Sequence, residues 1–215
     1  MRHAQVRYFE GVDPEEVQLT EEGRRQAEAA AAQLLAIPVD RVVTSGLPRT
    51  TETARIVAPA HEPEARYPLR EIESGDIRGL SPGEVQEMMT AAFRGVVPRE
   101  TPFLGGETIG ALLDRVLPEV DALLEADDWD VLLLVLHGGV NRAILSRAIT
   151  GEEVFLGGFE QSPGCVNVLD VSPRGEWIVR AVNHTPYDPA HARSPRTTTM
   201  EDLWAEYLAA RESTP

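Results

Sequence analysis

Apolar positions follow two different periods along the chain. The segments 40–46 and 131–136 ("DRVVTSG" and "VLLLVL") contain short, nearly continuous apolar runs, which are typical of strands buried on both faces of a sheet. Apolar residues at helical spacing predict helices at 19–36, 47–58, 82–94, from 107 to about Leu124, after His137 and at 198–211. Two further strands, 165–171 and 176–182, are expected to pair across the turn "SPRG". This alternation indicates an α/β fold, a three-layer sandwich with helices on both faces of a mainly parallel central sheet.

Two basic residues closely follow the predicted strands. Arg49 lies in the first turn of the helix after the segment 40–46, and His137 directly follows the segment 131–136. In parallel sheets, ligands bind beyond the carboxyl ends of the strands. We therefore expect Arg49 and His137 on one rim of the sheet.

Composition and charge limit the classes of partner. The 215 residues suffice for one medium domain, which we expect to extend over 1–215. The formal net charge of −15 argues against nucleic acid and anionic membranes as partners. A basic pocket can still bind a small anion, because surface charges are screened at physiological salt. The sequence has no membrane-length apolar run and no signal-peptide pattern, so a cytoplasmic protein is expected. The single cysteine, Cys165, excludes an internal disulfide and is expected to be buried.

Five stretches occur in an order that suggests one family. They are "RHAQ" at 2–5, "LTEEGRRQA" at 19–27, "TSGLPRTTETA" at 44–54, "LREIESGDIRG" at 69–79 and "HGG" at 137–139. Together they resemble branch 1 of the histidine phosphatase superfamily, whose phosphoglycerate mutase-like fold agrees with the α/β pattern. Each stretch alone is a weak signal, and the order of all five makes the resemblance specific.

The resemblance implies roles for four basic residues. His3 is expected to be the nucleophile that takes the phosphoryl group, and Arg2 and Arg49 are expected to bind the phosphate. His137 is expected to donate a further hydrogen bond and to be partly protonated. The residue types suit this chemistry, because a neutral imidazole is a good nucleophile and a guanidinium fork matches phosphate. No metal ion and no cofactor are expected.

The same chemistry needs a carboxylic acid that protonates the leaving oxygen and then activates water. Glu71 matches the family position and is preferred. Glu73 would point to the other side of an extended segment, and Glu107 is expected to begin a helix, where the dipole favours an acid. All three remain candidates.

Other residues of the five stretches have simpler explanations. Helix capping and close packing explain Thr20, Gly23 and Gln26 without chemistry. Ser45 and Thr50 are interpreted as loop and helix-start residues.

The chain departs from the family pattern in several places. Ala4 replaces the glycine that usually follows the catalytic histidine, and the asparagine that often contacts phosphate a few residues later is absent. Arg7 is considered as its substitute. The long insertion of the glycolytic mutases is missing between Glu71 and Glu107, which favours a phosphatase for a small phosphomonoester. The alternatives are a phosphoglycerate-type mutase and a non-catalytic protein that binds a phosphorylated ligand.

Two variable segments are expected to determine the substrate, at 80–106 and in the tail 184–215. Arg94 and Arg99 are candidates to bind a second anionic group, or they only balance the acidic surface. The stretch 188–196 is a candidate lid. The expected partner is a small phosphorylated substrate, with a homodimer as a further option.

Only Met1 precedes the Arg2–His3 pair in the sequence. In the family an apolar strand lies there, near the centre of the sheet. Four buried aliphatic side chains are worth roughly 6–12 kcal/mol, and a whole domain has only about 5–15 kcal/mol of net stability. We therefore expect a truncated first strand and a chain that is strongly destabilised, or a natural protein that begins further upstream.

Overall fold

The computed structural model describes residues 1–9, 13–77, 79–91, 93–172, 174–192 and 197–212. The helices in these ranges are α1 Glu21–Leu34, α2 Pro48–Val57, α3 Pro82–Ala91, α4 Ile109–Leu124, α5 Gly138–Thr150 and α6 Thr199–Glu212. The strands are β1 Arg41–Thr44, β2 Glu64–Ala65, β3 Val96–Val97, β4 Leu132–Val135, β5 Phe155–Leu156, β6 Val166–Val171 and β7 Trp177–His184.

The central sheet is built around β1. Its strand order is β2–β1–β4, and both pairings are parallel. The register pairs Arg41 with Leu132 and Thr44 with Val135. Because parallel strands end at the same edge, Ser45 and His137 come to one rim of the sheet.

The first three residues lie on the other side of β4. Arg2 forms an isolated parallel bridge with Leu136, and the backbone nitrogen of His3 donates to the Leu136 carbonyl at 2.8 Å. The backbone nitrogen of Arg2 donates to the Cys165 carbonyl at 3.0 Å. This segment therefore connects the parallel strands to the start of β6. The truncated first strand stays a prediction.

Side chains of β1 and β4 alternate between two apolar cores. Val43 belongs to the core formed with α4 and α5, and Leu136, just beyond β4, joins it. Val42, Leu133 and Val135 belong to the core formed with α1 and α2 on the opposite face. The alternation follows from the two-residue period of a strand. It confirms the predicted three-layer arrangement with helices on both faces of a mainly parallel sheet.

A third apolar cluster joins α3 to the C-terminal helix. Val85 and Met89 of α3 pack with Met200 and Tyr207 of α6, and Phe9 is packed against them. The two predicted specificity segments thus contact each other. Positions 92, 193–196 and 213–215 of these segments lie outside the described residues. The role in substrate choice and the domain extent 1–215 stay predictions.

Most predicted elements are confirmed within a few residues of their ends. The strands β6 and β7 pair antiparallel as expected, and position 173 of the turn between them lies outside the described residues. The expectation for Glu107 is wrong, because Thr108 caps α4 by accepting from the Ala111 nitrogen at 3.2 Å. Glu107 therefore precedes the helix. None of the described helices is both long and apolar enough to cross a membrane.

Candidate active site

The imidazole of His3 is buried at the rim of the sheet, with 1% of the residue exposed. Its Nδ1 lies 2.8 Å from the carbonyl oxygen of Ala4. A carbonyl oxygen only accepts, so Nδ1 carries the proton and Nε2 carries the lone pair. Burial, together with the guanidinium groups of Arg49 and Arg2, lowers the pKa of His3 well below its usual value. His3 therefore presents an uncharged, nucleophilic nitrogen.

The "LTEEGRRQA" segment holds the backbone that follows His3. The Thr20 nitrogen donates to the Gln5 carbonyl at 3.0 Å, and the Gln5 nitrogen donates to Gln26 Oε1 at 3.0 Å. Gly23 approaches so closely that a Cβ atom there would lie 2.3 Å from the Gln5 oxygen. Thr20 also caps α1 by accepting from the Gly23 nitrogen at 2.9 Å. The capping and packing predicted for Thr20, Gly23 and Gln26 are confirmed.

Two buried arginines accompany His3. Arg49 lies in the first turn of α2 as predicted, is 4% exposed, and donates from Nη1 to the Pro14 carbonyl at 2.8 Å. Arg2 is 8% exposed and donates from Nη1 to the Gln161 carbonyl at 2.5 Å. Both lie close enough to His3 to lower its pKa. The structure therefore brings the two arginines to the histidine.

His137 is the N-cap residue of α5, and its ring centroid lies 5.2 Å from that of His3. Its Nε2 lies 2.8 Å from Ser45 Oγ, which in turn lies 3.1 Å from Thr50 Oγ1. The Thr50 hydroxyl donates to the Leu47 carbonyl at 2.8 Å, so it accepts from Ser45. Ser45 then accepts from His137. The proton of His137 is therefore on Nε2, and Nδ1 has the lone pair.

Burial and the nearby Arg49, followed by His3, lower the pKa of His137 well below its usual value. Both factors favour the neutral ring in the site without phosphate, contrary to the expected partial protonation. Protonation of His137 with phosphate bound stays a prediction. Interpreting Ser45 and Thr50 only as loop and helix-start residues was incomplete, since Ser45 orients His137.

Three polar atoms around His3 are buried without a hydrogen-bond partner. They are Arg2 Nε, Arg49 Nε and His137 Nδ1. Three further atoms of this kind within the described ranges belong to Arg66, Arg70 and His61. A buried polar group without a partner costs about 1–3 kcal/mol. The two unpartnered guanidinium donors, Arg2 Nε and Arg49 Nε, indicate a binding place for an anion beside His3.

Glu71 reaches the start of α5. Its Oε1 accepts from the nitrogens of Gly139 and Ile72, each at 3.0 Å. A Cβ atom at Gly138 would lie 3.7 Å from Glu71 Oε2 and 3.9 Å from Arg2 Nε. The carboxylate and Arg2 therefore border the same glycine.

The other two candidate acids are placed differently. Glu73 is exposed. Glu107 forms a bidentate ion pair with Arg115, at 2.7 Å from Nε and 2.8 Å from Nη2. Its Oε2 also accepts from the Glu73 nitrogen at 3.1 Å. Of the three acids, only Glu71 contacts the helix that begins after His137.

Sequence reasoning missed three residues of the site. The Tyr8 hydroxyl lies 3.3 Å from His3 Nε2, and no motif signalled it. Thr53 accepts from the Ala4 nitrogen at 3.1 Å, and its spacing of one helical turn from Arg49 was an available signal. Arg142 is 4% exposed, and its Nη1 would lie 3.1 Å from a Cβ atom at Gly138, the glycine that Glu71 and Arg2 also border.

The remaining basic candidates are exposed or paired with acids. Arg7 and Arg94 are exposed. Arg99 pairs with Asp114, and with Glu153 at 3.7 Å, which fits the alternative that it balances acidic surface.

Residues 193–196 of the candidate lid lie outside the described residues, and the lid stays a prediction. Cys165 is buried as expected and unpaired. No group of three or more metal-binding side chains occurs among the described residues.

Comparison with known proteins gives consistent matches. A probable 2-carboxy-D-arabinitol-1-phosphatase from Arabidopsis thaliana is 32% identical over 181 residues, which are 80% of this chain and 37% of that protein. An adenosylcobalamin/alpha-ribazole phosphatase from Salmonella typhimurium is 30% identical over 162 residues, covering 71% of this chain and 78% of that protein. A solved mycobacterial glucosyl-3-phosphoglycerate phosphatase has a TM-score of 0.69 at 23% identity, covering 85% of this chain and 96% of that one.

The chain spans only 37% of the length of the plant relative, and its fold agrees with that of the mycobacterial structure. The family model of the histidine phosphatase superfamily (branch 1) matches residues 1–185. Since this match covers most of the sequence, the chain belongs to branch 1 of the histidine phosphatase superfamily.

Proposed function

We propose that this protein hydrolyses a small phosphomonoester through a phosphohistidine formed on His3. One observation carries the proposal: the donors Arg2 Nε and Arg49 Nε are unpartnered beside a histidine whose Nε2 carries the lone pair. The oxygens of a phosphoryl group accept hydrogen bonds, and its transfer needs positive charge around them. The relatives named as phosphatases support the same reaction class.

In the first step, His3 Nε2 attacks phosphorus, and the bond between phosphorus and the ester oxygen breaks. Arg2 and Arg49 stabilise the charge on the peripheral oxygens. The negative charge of a bound phosphate dianion favours uptake of a proton from solvent by His137 Nδ1, which then donates to a phosphate oxygen. The leaving oxygen takes a proton from Glu71.

In the second step, Glu71 accepts a proton from a water molecule that attacks the phosphohistidine. The phosphorus–nitrogen bond breaks, phosphate leaves, and Glu71 is protonated again. The position of Glu71 at the start of α5 supports this assignment over Glu73 and Glu107. Absence of the mutase insertion supports net hydrolysis. A reaction without metal or cofactor, a cytoplasmic location and a homodimer stay predictions.

A phosphatase screen tests the proposal. Wild type, His3→Ala and the control His184→Ala are assayed with EDTA on a panel of phosphomonoesters. We expect wild type and His184→Ala to hydrolyse the same substrates, and His3→Ala to lose at least about a thousandfold in rate. If wild type hydrolyses no substrate, or His3→Ala keeps full rate, the proposal is wrong.

Mass spectrometry of rapidly quenched samples separates covalent catalysis from simple binding. An acid-labile phosphoryl group is expected on His3 in the wild type. Hydrolysis without any such adduct on His3 contradicts the covalent mechanism.

A further inference from the structure

Tyr8 occupies the space in front of the proposed nucleophile. Its hydroxyl lies 3.3 Å from His3 Nε2, the nitrogen whose lone pair is left free by the bond from Nδ1 to Ala4. The hydroxyl therefore donates to Nε2. An attacked phosphorus atom must approach along this same direction, so the hydroxyl has to move before the reaction.

The backbone of Tyr8 is anchored while its side chain faces the site. The Tyr8 nitrogen donates to Glu206 Oε1 of α6 at 2.7 Å. The next residue, Phe9, packs edge-on against Tyr207 of the same helix, with ring centroids 5.4 Å apart. These two contacts limit the movement of the backbone. Rotation about the side-chain bonds is then the available way to free His3 Nε2.

The displaced hydroxyl stays within the positively charged part of the site. The Arg49 guanidinium carbon lies 5.6 Å from the centroid of the Tyr8 ring. Burial raises the pKa of Tyr8, so the hydroxyl keeps its proton at physiological pH and is available as a donor. A phosphoryl group on His3 places oxygens that accept hydrogen bonds next to the Tyr8 hydroxyl.

We infer that Tyr8 is a phosphate-contacting residue whose hydroxyl transfers its hydrogen bond from His3 Nε2 to an oxygen of the phosphoryl group. The inference rests on the proposed function. In the free enzyme the hydroxyl satisfies the lone pair of the nucleophile. In the loaded site it adds one neutral donor to those of Arg2, Arg49 and His137. No covalent bond to Tyr8 forms or breaks.

The test compares Tyr8→Phe with wild type and with Tyr67→Phe, in which an exposed tyrosine loses the same hydroxyl. The dissociation constant of inorganic phosphate is measured by calorimetry, and kcat and KM are measured with p-nitrophenyl phosphate. We expect the Kd for phosphate to be about tenfold higher in Tyr8→Phe than in wild type. We also expect its kcat/KM to be about tenfold lower. Tyr67→Phe is expected to match wild type.

Equal or tighter phosphate binding by Tyr8→Phe overturns the inference, because the hydroxyl would then only block the nucleophile. A second pair of variants is Tyr8→Gln and Tyr8→Met. Their side chains are similar in length, but only glutamine has a hydrogen-bond donor. Several-fold tighter phosphate binding by the Gln variant supports the inference, and equal binding by the pair contradicts it. If wild type neither binds phosphate nor hydrolyses the substrate, the proposed function fails instead.

Discussion

Arg115 and Glu107 form a two-point ion pair, with Nε–Oε1 and Nη2–Oε2 distances of 2.7 and 2.8 Å. The other donors of Arg115 bind the carbonyls of Pro68, Arg70 and Glu71 at 2.6, 2.7 and 3.1 Å. The ion pair therefore holds the backbone segment that presents the Glu71 side chain. Both carboxylate oxygens of Glu107 bind Arg115, so Glu107 has a structural role.

This contact predicts different results for the three candidate acids. Glu71→Gln is expected to lower kcat by at least about a hundredfold at nearly unchanged stability, because it removes the proton donor. Glu107→Gln is expected to lower the free energy of unfolding by about 1–3 kcal/mol, and kcat by about tenfold or less. Urea denaturation and steady-state kinetics measure both effects. Glu73→Gln is the exposed control. If the pH dependence of kcat disappears in Glu107→Gln and in neither other variant, Glu107 is the catalytic acid.

Removing the Ser45 hydroxyl is predicted to affect turnover more than substrate binding. Ser45→Ala leaves Nε2 of His137 without its partner at 2.8 Å, so the ring loses its fixed orientation and tautomer. We expect kcat to fall about tenfold with a smaller change in KM. Ser172→Ala, in the β6–β7 hairpin, is the matched control. Equal kcat in both variants would show that Ser45 does not position His137.

The two buried histidines predict how stability depends on pH. Burial lowers the pKa of His3 and of His137 well below the usual value of 6.5, whereas the unfolded chain protonates near that value. Below pH 6.5 the unfolded state therefore binds more protons, and stability decreases as the pH falls. The slope is at most about 1.4 kcal/mol per pH unit for each histidine. Above the usual value their contribution is constant.

Urea denaturation in steps of half a pH unit from neutral to mildly acidic conditions measures this slope. The variant His3→Asn/His137→Asn is expected to show a flatter dependence, since it lacks both groups. A wild-type slope no steeper than that of the double variant contradicts the prediction.

Gly23 and Gly83 are predicted to respond oppositely to alanine. A Cβ atom at Gly23 would meet the backbone oxygen of Gln5 at 2.3 Å, whereas at Gly83 it would meet nothing within 4 Å. Gly23→Ala is expected to destabilise the protein by about 1–3 kcal/mol and to lower activity, because the shifted backbone adjoins His3. Gly83→Ala, in α3, is expected to be neutral or stabilising by up to about 1 kcal/mol. Thermal unfolding of both variants is the measurement, and equal melting temperatures would refute the packing argument.

Local patterns predicted much of the fold, because the relevant information lies within short segments. The apolar runs of β1 and β4 and the capping residue Thr20 follow from periodicity and from single side chains. The strands β2, β3 and β5 have two residues each, which is too short for a periodic signal.

The site was harder to predict because its contacts join distant positions. The proximity of His3 and His137 depends on the bridge between Arg2 and Leu136, which no local pattern reveals. The structural contact of Glu107 required knowledge of its partner Arg115. Tyr8 has a neutral side chain outside every motif, so only the three-dimensional arrangement relates it to the nucleophile.

The contacts of the N-terminal segment also bear on the order of folding. Arg2 Nη1 contacts Thr199 Oγ1 at 3.4 Å across a separation of 197 positions, and Tyr8 is joined to Glu206 across 198. Contacts between such distant positions close large loops and form slowly. Helices α1 and α4 are local structures and are expected to form early. Recovery of enzymatic activity during refolding should therefore lag behind recovery of helical content, and activity would report the final docking of α6.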